Sequence, residues 1–109
     1  MAHVFGTLTG VTINTMAELT PIMEQIVTDL DLHEVARSFY QFDPVGVTGV
    51  IVLSESHFSV HTYPEDEKIY LDIFCCSKNF SPDNAAKIIK ERFDAHDFIW
   101  NYINRFNKS

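Results

Sequence analysis

Residues Gly46 to Cys76 read GVTGVIVLSESHFSVHTYPEDEKIYLDIFCC, and the way apolar residues repeat through this stretch decides the fold. Gly46 to Leu53 is rich in Val and Ile and almost uniformly apolar, as a strand buried on both faces would be, so the sheet centre is expected here. His57, Ser59, His61 and Tyr63 then alternate with Phe58, Val60 and Thr62, the period of a half-buried strand. Pro64-Glu65-Asp66-Glu67 supplies a polar turn. Beyond it, Ile69, Leu71, Ile73 and Cys75 alternate with Tyr70, Asp72, Phe74 and Cys76, which is the return strand of a hairpin. A turn centred near Glu65 and Asp66 pairs residues whose numbers sum to about 131 or 132, and this predicts Cys76 opposite Glu55 or Ser56. On the same alternation Cys76 shares a face with Asp72 while Cys75 points with the apolar residues, which makes Cys76 the better candidate for chemistry.

Outward from this stretch the pattern changes period. His3 to Val11 carries Val4, Phe5, Leu8 and Val11 among threonines and glycines, and Gly6 and Gly10 suggest an edge strand or one with a bulge. Thr15 and Glu18 have the spacing of a capping box. Met16, Leu19, Ile22, Met23, Ile26, Val27 and Leu30 then recur at three and four residues, which predicts an amphipathic helix of roughly four turns. Pro21 inside it implies either a kink or a later start capped by Thr20. Leu32 to Phe42 looks extended and ends at the turn signal Asp43-Pro44. Ser81-Pro82 opens a second helix, with Ala85, Ala86, Ile88, Ile89 and Phe93 as its inward stripe. Phe98 to Phe106 reads as a last strand with Phe98, Trp100, Tyr102 and Phe106 on one side, facing either a partner or the domain's own helices. The order β-α-β-β-β-β-α-β predicts a single α+β domain over 1–109. This is a two-layer α/β sandwich, one largely antiparallel sheet with both helices on one face.

Composition narrows the function. A chain of 109 residues that is 46% apolar is one domain long. A net charge of −7 with scattered acids excludes a nucleic-acid phosphate footprint and favours a small cationic partner. No apolar run is long enough to span a bilayer, and Met1-Ala2-His3 lacks a basic region followed by an apolar block, so a cytoplasmic protein is expected. Cys75 and Cys76 are the only cysteines; as neighbours they cannot form an ordinary bridge, and they read as reduced thiols.

Taken singly, the polar residues of the central stretch have ordinary readings. A serine in a strand is usually a hydrogen-bonded hydroxyl, and adjacent buried cysteines behave as small hydrophobes. His57 and His61 share a strand face, yet no third ligand follows at a familiar spacing, so no metal is expected. The glycine elbow of an ordinary serine hydrolase is absent.

Taken together, in this order and spacing, GVTG (46–49), SESH (54–57), HTYPE (61–65) and DIFCC (72–76) resemble the prokaryotic S-adenosylmethionine decarboxylase proenzyme family, a pyruvoyl-dependent, self-processing group. The close match covers roughly Phe42 to Cys76. The resemblance implies cleavage between Glu55 and Ser56 into 1–55, the beta chain, and 56–109, the alpha chain. Ser56 would become the pyruvoyl group, the only cofactor implied, with no metal and no PLP. Its ketone would form a Schiff base with the substrate amine and accept the electrons released with carbon dioxide. By the same resemblance Cys76 is the proton donor in turnover, and His61 the proton acceptor of processing. Thr48 assists the ester step, and Phe42 and Glu65 bind substrate. A homodimer of cleaved protomers is implied as well. Five residues of straight strand span about 17 Å, so joint action of His61 and Ser56 implies a bend at Ser56-His57 that the hairpin pattern alone does not produce.

The chain departs from the family in several places. Thr48 stands where serine is usual, Tyr63 where tryptophan is, and Cys75 where threonine is. Asp66-Glu67-Lys68-Ile69-Tyr70 replaces a Tyr-Gly-Tyr segment, and an N-terminal Gly-Arg-His motif is missing. The processing residues are kept while parts that face substrate differ. Three functions follow. The first is decarboxylation of S-adenosylmethionine to the aminopropyl donor of spermidine synthesis. The second is decarboxylation of arginine or ornithine on the same scaffold, motivated by the acidic Asp66-Glu67 turn. The third is an unprocessed, non-catalytic binding or regulatory homologue.

Overall fold

The computed structural model describes residues 1–105. Six strands and two helices follow in the expected order: β1 (Ala2–Thr9), α1 (Met16–Asp29), β2 (Glu34–Gln41), β3 (Val47–Leu53), β4 (Ser56–Tyr63), β5 (Lys68–Cys75), α2 (Pro82–Phe93) and β6 (Asp97–Asn104). The strands form one sheet in the order β2-β3-β4-β5-β1-β6, and every neighbouring pair is antiparallel. Helix α1 packs on β2 and β3, α2 packs on β1 and β6, and the helices touch each other, so both lie on one face. Asp29 of α1 and Arg92 of α2 form an ion pair at 2.6 Å across their contact. The α+β sandwich read from the sequence is the fold observed.

Local chemistry explains the elements. Thr15 caps α1 by accepting from the Glu18 N–H while the Glu18 carboxylate accepts from the Thr15 N–H, a complete capping box. The helix therefore starts at Met16, and Pro21 lies inside it rather than at a later start. Ser81 caps α2 through the Asn84 N–H, with Pro82 in the first turn where its missing donor costs nothing. The core between the layers holds Val4, Leu8, Leu19, Met23, Ile26, Ile51, Phe58, Val60, Ile69, Ile73 and Ile89, all fully buried. Each such side chain contributes about 1.5–3 kcal/mol on leaving water.

Two expectations are corrected, and a third, left between two alternatives, is decided. Strand β1 is not an edge: it lies between β5 and β6, and Gly6 is there because a Cβ would come within 2.5 Å of the Ile99 carbonyl oxygen on β6. Strand β3 is not the sheet centre, which falls at β4 and β5, nor is it buried on both faces. Val47, Gly49, Ile51 and Leu53 face the helices, while Thr48, Val50 and Val52 lie on the uncovered face, with Val52 43% exposed. The aromatic side of β6 turns toward α2: Phe98 is buried and Trp100 packs against the core, so these rings cover the domain's own helix. Phe106, expected in that row, lies outside the described residues.

The uncovered face mixes polar groups with exposed apolar side chains. Phe5, Tyr40, Val52, Tyr63, Tyr70, Ile99 and Ile103 all stand on it, and all are exposed large hydrophobic side chains. No helix among the described residues is long and apolar enough to cross a membrane.

Candidate active site

The hairpin β4–β5 is in register with residue numbers summing to 131, so Ser56 pairs with Cys75 and Cys76 continues opposite Glu55. The Cys76 N–H donates to the Glu55 carbonyl oxygen at 3.0 Å. Cys75 is buried in the core while Cys76 is exposed, as the alternation predicts. Burial pushes the Cys75 thiol up, away from ionisation, which leaves Cys76 as the thiol open to solvent.

Strands β3 and β4 are joined by Ser54 and Glu55 alone. A two-residue hairpin favours positive φ at its central residues to match the twist of the flanking strands. Here the positive φ falls instead on Ser56, at 148°. A non-glycine residue in such a conformation stores about 1–3 kcal/mol of strain. Surrounding contacts hold it there. The Ser54 N–H donates to the His33 carbonyl oxygen at 2.8 Å, and the Glu55 carboxylate accepts from the His33 N–H at 3.1 Å and lies 2.8 Å from His33 Nδ1. The His33 hydrogen bond holds the Glu55 carboxyl below its usual range, and the same bond raises the His33 imidazole.

Thr48 and His61 form a second group. They are register partners across β3 and β4, with Thr48 Oγ1 and His61 Nδ1 3.1 Å apart. Both line a cavity of about 550 Å³, together with Phe42, Asp43, Tyr63 and Glu65. Cys76 lines a different cavity, of about 540 Å³, with Lys78, Phe80 and Tyr102. The expected substrate residues Phe42 and Glu65 therefore sit with Thr48 and His61, not with Ser56 and Cys76.

The expected bend is absent. Strand β4 is paired residue by residue with β3 and β5 from Ser56 onward, so His61 stands about 17 Å along a straight strand from Ser56. One chain thus holds two half-sites at opposite ends of its β3–β4 hairpin.

Between them lies a network that single residues did not reveal. His3 Nε2 and His57 Nε2 each lie 2.8 Å from Asp72 Oδ2, and the Ser59 hydroxyl donates to Asp72 Oδ1. Burial pushes the Asp72 carboxyl up, but the bonds from Ser59, His57 and His3 outweigh it and hold the group below its usual value. His3, His57 and Asp72, with ligand atoms within 4.8 Å of one another, are the one grouping among the described residues that could hold a metal ion. Its N···O separations are hydrogen-bond lengths, whereas tetrahedral zinc ligands stand about 3.3 Å apart. The arrangement is that of a satisfied carboxylate tying three strands together.

Sequence reasoning did not find Asp43 or His33. Asp43 follows Phe42, where the sequence marks it only as part of the Asp43-Pro44 turn signal. The acidic turn thought to face substrate contributes Glu65 alone to the cavity, not Asp66 or Glu67. Neither Asp43 nor Glu65 has an ion-pair partner among the described residues.

Residues 2–106 match the family described as S-adenosylmethionine decarboxylase. An S-adenosylmethionine decarboxylase proenzyme of Archaeoglobus fulgidus is 34% identical over 99 residues, covering 88% of each chain. One from Clostridium botulinum is 41% identical over 70 residues, 64% of this chain, and the match spans 60% of that relative's length. The crystal structure of the adenosylmethionine decarboxylase from Aquifex aeolicus superposes with a TM-score of 0.84 at 25% identity, covering 99% of this chain and 95% of that one.

Proposed function

Because the chain belongs to the S-adenosylmethionine decarboxylase family, we propose that it is a self-processing, pyruvoyl-dependent carboxy-lyase acting on S-adenosylmethionine, supplying the aminopropyl donor of spermidine synthesis. The observation that carries this reading is the Glu55–Ser56 junction, where a strained serine follows a carbonyl already gripped by the Cys76 N–H.

In processing, Ser56 Oγ adds to the Glu55 carbonyl carbon, and negative charge develops on the oxygen that the Cys76 N–H meets at 3.0 Å. A main-chain donor so placed acts as an oxyanion hole. Breaking the C–N bond leaves an ester and relieves the strained φ at Ser56. Removal of the Ser56 Cα proton by a base then expels Glu55 as a carboxylate, and uptake of one water with loss of one ammonia leaves a ketone at residue 56. That ketone supplies the electron sink for decarboxylation when it condenses with a substrate amine. The exposed Cys76 thiol, beside residue 56, is positioned to return a proton to carbon.

His61 is the base and Thr48 its hydroxyl partner, and both act across a homodimer. Neither reaches Ser56 of its own chain, whereas a two-fold axis running across the strands between two uncovered sheet faces would set the Thr48–His61 end of one copy against the Ser56–Cys76 end of the other. The same packing covers the exposed side chains of that face and brings Phe42, Tyr63 and Glu65 of one copy to the ketone of its partner. Reduced Cys75 and Cys76 suit the cytoplasm.

A second reading, a free basic amino acid such as arginine or ornithine as substrate, draws support from Asp43 and Glu65. Two carboxylates without ion-pair partners in an aromatic cavity suit a guanidinium or ammonium end. Carbon dioxide release from S-adenosylmethionine, arginine and ornithine, each offered alone, separates the readings. Release from S-adenosylmethionine is expected; release from arginine or ornithine only would overturn that substrate while leaving the chemistry.

A further inference from the structure

We propose that His33 is a positioning residue for self-processing: by holding the Glu55 side chain it fixes the scissile Glu55–Ser56 peptide in the geometry that Ser56 attacks. This role rests on the cleavage reading above and adds a residue to it.

Glu55 contributes the carbonyl that Ser56 Oγ must reach, and that carbonyl belongs to a two-residue connection between β3 and β4. Rotation of the Glu55 peptide would carry the carbonyl away from the Cys76 N–H and let φ of Ser56 relax. Three bonds from a single residue oppose this rotation. His33 accepts the Ser54 N–H through its carbonyl oxygen, donates its own N–H to Glu55 Oε1, and places Nδ1 2.8 Å from Oε2. Glu55 is thereby gripped on both flanks, its side chain by His33 before β2 and its carbonyl by Cys76 after β5. Strain at Ser56 persists only if the neighbours over-determine it, and His33 is the neighbour that does so through the side chain.

Most of the His33 side chain is exposed, and among the described residues its imidazole bonds to nothing but Glu55. A purely structural role would give it no reason to meet the residue preceding the cut. After cleavage the same contact keeps the new chain end of 1–55 against the sheet.

The test times cleavage of freshly synthesised full-length chain in a cell-free system, for the native sequence, His33→Ala, His33→Asn, Glu55→Ala and the double variant His33→Ala/Glu55→Ala. Misplacing reacting atoms by about an ångström costs on the order of 100-fold, so His33→Ala is expected to slow cleavage by roughly 10- to 100-fold. His33→Asn, which keeps a donor near the Nδ1 position, restores most of the rate. In the Glu55→Ala background, His33→Ala adds no further slowing, because the contact is already gone. Native-rate cleavage in His33→Ala overturns the proposal. Equal slowing by His33→Ala with and without the Glu55 side chain also overturns it, since it marks general destabilisation. If the native chain itself is never cut, the cleavage reading falls and this role falls with it, an outcome distinct from the other two.

Discussion

The separation of Ser56 from His61 has a direct consequence for how two damaged chains behave together. A base must come within about 3 Å of the proton it removes, yet a regular β4 holds His61 about 17 Å from Ser56 of the same chain. Closing that gap within one protomer would mean peeling β4 away from both neighbours along five residues, which the two-sided pairing opposes. If the base comes from the partner, Ser56→Ala and His61→Ala must complement each other. In a mixed dimer the His61→Ala chain supplies an intact Ser56 and meets an intact His61 on the Ser56→Ala chain. With random pairing, about half of the His61→Ala chains acquire such a partner. Co-expression with distinguishable tags, read on a denaturing gel, should therefore show up to about half of the His61→Ala chain cut, while the Ser56→Ala chain stays whole. Each variant alone should remain uncut. Efficient cutting of His61→Ala by itself, or no cutting in the mixture, would refute the shared site.

Other expectations follow from single contacts. Cys76→Ala removes the thiol but keeps the main-chain N–H, so cleavage should proceed while carbon dioxide release falls by about 10²- to 10⁴-fold, the usual worth of a general acid; parallel loss of both would contradict the division of labour. Asp72→Ala breaks the bonds to His3, His57 and Ser59 and should cost about 1–3 kcal/mol in denaturant unfolding. Because the folded Asp72 carboxyl lies below its ordinary value, its contribution is present above that ordinary value and disappears as pH falls through the folded one. The acid limb of a stability profile should thus flatten in Asp72→Ala. For the His33–Glu55 pair the signs differ: the lowered Glu55 loses its contribution toward acid, and the raised His33 loses its own as pH rises through its folded value. Cleavage rate should accordingly be highest between the two, and a rate that climbs steadily into alkaline pH would contradict this.

Much of the molecule was legible in residue order because local and global signals agree. Alternation through Phe58, Val60 and Thr62 and through Ile69, Leu71, Ile73 and Cys75 fixed two strand faces, and the turn between them fixed their register to within one residue. That register alone delivered Cys76 to Glu55. Strand β3 misled for a physical reason: Val50 and Val52 lie on a face that the helices leave uncovered, so a strand apolar on both sides reads as central. Its composition fits the proposed homodimer, in which that face would be covered. Gly6 misled in the opposite sense, since its lack of a side chain marks close approach by Ile99 rather than a sheet edge. His33 was not visible because its contact to Glu55 crosses 22 residues and depends on where α1 ends, which no periodicity encodes. The half-site division was foreshadowed as a length mismatch along β4. Only the unbroken pairing on both sides of that strand shows that the chain does not bend to resolve it.

The most direct measurement is the intact mass of freshly purified protein beside Ser56→Ala. Two chains of 55 and 54 residues, read from the sequence as 1–55 and 56–109, are predicted for the native protein. Their masses should sum to the precursor plus one water minus one ammonia, with the second chain blocked at its first residue, and Ser56→Ala should stay whole. A single uncut mass in both samples would contradict self-processing at Glu55–Ser56 and leave the binding or regulatory homologue as the remaining reading.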